Sequence, residues 1–202
     1  MSANAMPWLA GRRALLVGAG AAADAVAAAL VTAGATLRRA DAAIVEGPDI
    51  AEVFDAGEVD LLVHAGTPLP AVPAETIGLD DWRGTFSADL DGRFLFAAEF
   101  ARRIIAAPGR HGAILFLMPG MRSHPLRAAA ASAHGALDNL VKSLGVEWGR
   151  DGIRVNAIAS DVIRSFAAAS QAQIDSLGNL AAWLLSDYSA YVTGTVAGID
   201  EL

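Results

Sequence analysis

The chain has 202 residues, 54% of them hydrophobic and 18% charged, a profile that fits one globular domain with a buried core and excludes a disordered segment. Its formal net charge of −7 argues against a sequence-independent grip on nucleic acid or a membrane surface, because no basic patch supplies counterion release. The absence of cysteine removes disulfides, thiolate zinc sites and thiol nucleophiles, and fits a reducing compartment, with the cytoplasm as the expected location.

Along the chain, Arg12-Arg13 ahead of an alanine-rich run over residues 14–37 superficially resembles a secretory signal. Asp24 in its middle speaks against both an export signal and a membrane span. The same residues read as a strand (Ala14-Leu15-Leu16-Val17), a glycine turn at Gly18, and a helix over 25–33 closed by Gly34. Asp41 ends a second strand, and between it and Leu61 there is room for little more than one helix beginning at Asp49. Leu61-Leu62-Val63, Ile114-Leu115-Phe116-Leu117 and Ile153-Arg154-Val155-Asn156-Ala157-Ile158 are nearly uncharged runs between helical stretches, as in a parallel sheet covered on both faces. A last strand over 192–199 follows a helix around 180–185. The expected fold class is α/β, a doubly wound parallel sheet in a single domain spanning 1–202.

Two long central helices have different faces. From Ala133 onward, Leu137, Leu140, Val141, Leu144 and Trp148 form one stripe opposite Asp138 and Lys142. In the other helix, Phe94, Ala98, Ala101 and Ile105 read as the core stripe, while Phe96 and Phe100 form a second apolar face that calls for a cover, such as a partner subunit or the chain's own loops. Trp148 and Trp183 fit packing better than ligand stacking.

Leu9-Ala10-Gly11-Arg12, His64-Ala65-Gly66, Gly152-Ile153-Arg154-Val155-Asn156-Ala157-Ile158 and Tyr191-Val192-Thr193-Gly194 resemble, in order, landmarks of the short-chain dehydrogenase/reductase family over nearly the whole chain. The resemblance implies a Rossmann-type fold, with the region around the family's third strand and the substrate lid after Ile158 shortened. It also implies where the family's machinery should fall. The catalytic tyrosine position falls on Ala130, the lysine four residues later on His134, the serine on Pro119 or Met118, and the helix asparagine on Asp89. Ser123 lies too far along to inherit the serine's place. An alanine methyl cannot transfer a proton, and an ionised aspartate accepts a hydrogen bond without donating one.

The cofactor turn, Gly18-Ala19-Gly20-Ala21-Ala22-Ala23-Asp24, is one residue short of the family's three-glycine pattern. Alanine methyls and the Asp24 charge are expected to oppose a pyrophosphate, leaving Gly18, Gly20 and the ribose-binding candidate Asp41 as vestiges, with Arg38 and Arg39 beside them. His64, His111 and His124 have no metal-ligand spacing, so no metal is expected. Tyr188 and Tyr191 match the family's closing landmark.

These readings lead to one main expectation: a non-catalytic subunit without a cofactor, assembling with a catalytic short-chain dehydrogenase paralogue, or with itself, and offering the end 200–202 to its neighbour's substrate opening. Two alternatives stand beside it. One is a divergent NAD(P)-dependent oxidoreductase acting on an alcohol or ketone, with His134 and Asp89 repurposed as a general base. The other is a homo-oligomeric protein that binds a different small ligand in the cleft.

Overall fold

The computed structural model describes residues 7–42, 47–66, 72–120 and 128–199; Ser123, His124 and residues 200–202, given roles above, lie outside the described residues. In chain order the elements are β1 (Arg13–Val17), α1 (Ala21–Thr32), β2 (Thr36–Ala40), α2 (Gly47–Asp55), β3 (Leu61–His64) and α3 (Leu79–Phe86). A π-helical turn, Ser87–Asp91, carries α3 into α4 (Gly92–Ile105). Then follow β4 (Gly112–Pro119), α5 (Ala128–Glu147), β5 (Ile153–Ser160), the short α6 (Asp161–Arg164), α7 (Gln171–Leu185) and β6 (Val196–Gly198).

The strands form one parallel sheet in the order β2-β1-β3-β4-β5-β6. The uncharged runs are its central strands, and β3 is buried along its whole length, as parallel strands covered on both faces must be. Chain order runs from β1 outward to β2 and then returns to β3 on β1's other side, so the sheet's switch point lies between β1 and β3, with Val17 opposite His64. In doubly wound sheets ligands bind there, beyond the carboxyl ends of the strands. Among the described residues β2 is one edge of the sheet, as the shortening between Asp41 and Leu61 implies, and β6 is the other.

Helices α1 and α7 cover one face and α2, α4 and α5 the other. The alanine content of α1 serves close packing: a Cβ on Gly178 of α7 would stand 2.7 Å from the Ala29 methyl. At the amino end of the sheet, Asp60 accepts hydrogen bonds from the Arg13 backbone N–H (3.0 Å), Arg13 Nε (2.7 Å) and Arg110 Nη2 (2.9 Å). Burial alone would raise its pKa, but these donors outweigh that and hold the carboxyl at about 2. No helix among the described residues is long and apolar enough to cross a membrane.

Two expectations are corrected. The last strand is shorter than 192–199, because residues 192–195 form a brace instead: Asn156 Nδ2 donates to Val192 O (2.9 Å), Thr195 N–H to Asn156 Oδ1 (3.1 Å), and Val155 N–H to Thr193 Oγ1 (3.0 Å). The faces of α4 also differ from the expected ones, although Ala101 of the expected core stripe is buried. Phe96 and Phe100 are 0% and 1% exposed in the chain's own core, whereas Phe94 and Ile105 are 43% and 49% exposed. Phe96 and Phe100 are therefore core residues and not a docking face. Phe96→Ala is expected to cost about 3–5 kcal/mol in urea denaturation, while Phe94→Ala stays within about 1 kcal/mol; comparable losses would contradict the assignment.

Candidate functional site

At the switch point β1 ends in the turn Gly18-Ala19-Gly20. Gly18 (φ +102°) and Gly20 (φ +112°) adopt the backbone region that side chains disfavour. A Cβ on Gly20 would meet nothing within 4 Å, so the turn leaves open space directly ahead of α1. The first bond into that helix runs from Asp24 N–H to Gly20 O (2.9 Å), and among the described residues no side chain caps the amides before it. Uncapped amides and the positive end of a twelve-residue helix suit an anion.

The two obstacles expected from the sequence are reduced in this geometry. The methyls of Ala22 and Ala23 are buried in the core beneath α1, while Ala19 and Ala21 are exposed at the turn. The Asp24 carboxylate is paired with Arg39 Nη1 of β2 at 2.7 Å, so its charge is offset beside the helix start. Arg38 donates to Val53 O and Gly57 O, both at 3.0 Å, at the end of α2. Asp41 is exposed immediately after β2. The residues present fit the phosphates of a dinucleotide.

The corner after β3 lies beside this turn. His64 is buried, and its Nδ1 accepts from Gly66 N–H (3.0 Å), which places the proton of the neutral ring on Nε2. Burial, and secondarily the charge of Arg93, push the His64 pKa well below the ordinary histidine value. Arg93 is itself buried. Its Nε and Nη2 donate to Asp89 Oδ1 (3.1 and 3.0 Å) and its Nη1 to His64 O (3.1 Å), with the guanidinium 5.8 Å from the Phe116 ring centre. Asp89 sits in the π-helical turn; its Oδ2, like His64 Nε2, is buried without a hydrogen-bond partner among the described residues. Orphaned buried atoms and π turns both concentrate where function is built.

Ala130 and His134 lie buried one turn apart on α5, which packs against the π turn carrying Asp89. Pro119 closes β4 opposite Ser160 of β5. The structure thus brings Gly18, Gly20 and Asp24 together with Arg39, and sets the elements bearing Asp89 and His134 in contact. Sequence reading named His64 as a landmark and Arg39 beside Asp41 without giving either a role, and passed over Arg93. The i,i+4 spacing of Asp89 and Arg93 was the available signal. A separate cavity of about 470 Å³, lined in part by Phe54, Val59, Phe100, Arg103 and Arg110, lies at the opposite, amino end of β3 and β4. Among the described residues no group of three or more histidine or acidic side chains is placed to hold a metal.

A doubly wound sheet with an uncapped glycine turn at its switch point defines a dinucleotide-type α/β protein. The chain belongs to the short-chain dehydrogenase/reductase family: the family model described as enoyl-(acyl carrier protein) reductase matches residues 20–177. Among curated relatives it is 34% identical over 127 residues to the D-threitol dehydrogenase of Mycolicibacterium smegmatis, covering 61% of this chain and 48% of that protein. It is 28% identical over 172 residues to the 2-dehydro-3-deoxy-D-gluconate 5-dehydrogenase of Bacillus subtilis, covering 74% and 66%. The chain thus spans about half to two thirds of the length of these relatives. A gluconate 5-dehydrogenase from Burkholderia cenocepacia, solved with NADP and tartrate, shares its fold with a TM-score of 0.80 at 24% identity, covering 98% of this chain and 96% of that one.

These findings overturn the main expectation from the sequence. The relatives are dehydrogenases and a structural neighbour was solved with NADP, so neither a non-catalytic subunit nor the absence of a cofactor stands. Part of the physical reason lies in the features above: two of the turn's alanine methyls are buried, and Asp24 is paired with Arg39.

The buried neutral His64 makes a pH prediction. The unfolded chain takes up a proton at His64 below about pH 6.5 while the folded chain does not until far lower, so stability falls as pH drops through 6.5. His64→Asn, which retains an acceptor for Gly66 N–H, is expected to flatten the decline between about pH 6.5 and 5 in denaturant titrations; an unchanged slope would count against a neutral buried His64.

Proposed function

We propose that the chain is an NAD(P)-dependent oxidoreductase that interconverts an alcohol and a ketone on a polyol or sugar acid. The observation that carries this reading is the open Gly18–Gly20 turn ahead of an uncapped α1, with Asp24 neutralised by Arg39. The similarity to D-threitol and sugar-acid dehydrogenases supports the substrate class. When bound, the nicotinamide supplies hydride exchange. The residues of this chain bind and orient: the first amides of α1 take the phosphates, and Arg39 of β2, paired with Asp24, offsets the carboxylate's repulsion of them. His134, the buried histidine of α5, holds the proton exchanged with the substrate oxygen in place of the tyrosine that Ala130 lacks.

Calorimetry with NADH and NADPH, followed by turnover on a panel of polyols and sugar acids, tests this. The wild-type chain is expected to bind a dinucleotide saturably. Gly20→Val, which places a side chain in the open turn at φ +112°, is expected to weaken binding at least about tenfold. His134→Gln is expected to retain binding and lose about a hundredfold in turnover. No binding by the wild type, or full turnover in His134→Gln, would contradict the proposal.

The chain also self-associates in this reading, through the α4 stripe of Phe94, Ala98 and Ile105, of which Phe94 and Ile105 stand open to solvent. Light scattering is expected to give an oligomer for the wild type and a smaller species for Phe94→Asp; a wild-type monomer would contradict it.

A further inference from the structure

Arg93 is one of the largest fully buried side chains of the molecule, and a buried arginine is costly unless its geometry is exacting. Its surroundings are specific. A Cβ on Gly66 would stand 2.0 Å from Arg93 Nη2 and 2.8 Å from Cζ, so the guanidinium lies directly against the Gly66 backbone. The other side of that corner touches the cofactor turn: a Cβ on Gly18 would be 3.2 Å from Gly66 O and 3.3 Å from the Ala65 methyl. Ala65 N–H donates to Val17 O at 2.9 Å, joining the two corners by a backbone bond. The guanidinium is fixed in turn by Asp89 in the π turn and by its bond to His64 O.

We infer that Arg93 is a positioning residue for the dinucleotide site: the buried guanidinium sets the His64-Ala65-Gly66 corner, and that corner sets the Gly18–Gly20 turn. The inference rests on the dinucleotide reading above and adds a residue to it. An apolar side chain of similar size would fill the volume but could not reach His64 O or answer the Asp89 carboxylate. Asp89 and Arg93 consequently act as one unit, anchored in the α3–α4 helix and holding a backbone corner across the site.

The test separates positioning from packing. Arg93→Met leaves Asp89 as a lone buried charge and is expected to lower the thermal midpoint. The double variant Asp89→Leu/Arg93→Leu removes both charges and is expected to recover most of that loss, as apolar replacements of buried ion pairs do. In the double variant, hydrogen exchange of the free protein at Gly18, Gly20, Ala65 and Gly66 is nonetheless expected to be about tenfold faster, and the NADPH Kd about tenfold weaker. Arg93→Lys keeps the charge and loses the fork, so it provides the same exchange readout should the double variant not fold. Wild-type exchange and wild-type Kd in a folded variant overturn the positioning role alone. A wild-type chain that binds neither NADH nor NADPH overturns the dinucleotide reading itself, and this inference with it.

Discussion

The parallel pairing of β1 with β3 is the constraint on which the rest depends. With Val17 opposite His64, both strands end at the same level. The turn leaving β1 toward α1 and the corner leaving β3 must then share one small volume. Glycine at 18 and 66 is the steric answer: a Cβ at 66 would collide with Arg93, and one at 18 would crowd Gly66 O at 3.2 Å on a backbone of positive φ. Everything that distinguishes the site follows from filling the space around that meeting. The helix start stays uncapped, Arg39 reaches from the edge strand to Asp24, and Arg93 comes up from α4 beneath Gly66. The amino end of the sheet is fixed by a different device, the Asp60 carboxylate shared by Arg13 and Arg110, so the two ends answer to separate interactions.

A buried salt bridge at such a place works differently from a surface one. Asp89 and Arg93 are both withdrawn from water, and the cost of doing so is offset only by short, well-aligned bonds. Two donors of one guanidinium converge on a single oxygen, Asp89 Oδ1, and the other oxygen is left without a hydrogen-bond partner among the described residues. His64 Nε2 is left in the same way nearby. One acceptor and one donor therefore stand ready on either side of Arg93, in the part of the molecule where α5 brings His134. That combination places these polar atoms on the same elements that shape the Gly18–Gly20 turn.

Much of the fold was legible in the sequence. The uncharged runs Leu61-Leu62-Val63 and Ile114-Leu115-Phe116-Leu117 became the interior strands β3 and β4, and the single stripe Leu137, Val141, Leu144 became the buried face of α5. What failed was what depends on partners distant in sequence. In α4 periodicity offers two apolar faces, and the rule that charges point outward selects the wrong one, because Arg93 and Glu99 lie on the Phe96 and Phe100 face and are buried with it. Asp24 looked like an obstacle to an anion because Arg39, on the neighbouring strand, is not its neighbour in sequence. The direction of the alanine methyls in the turn depends on the helix phase set by packing against α7, which no local pattern specifies.

In the proposed function the β1–β3 meeting point is a working dinucleotide site despite its shortened glycine turn. Titrating NADPH into the isotopically labelled chain and following backbone amide resonances tests it most directly. Saturable shifts concentrated at Gly18, Gly20 to Asp24 and His64 to Gly66 are expected. Saturation without shifts at those amides, or shifts centred on the cavity beside Arg103 and Arg110, would contradict it.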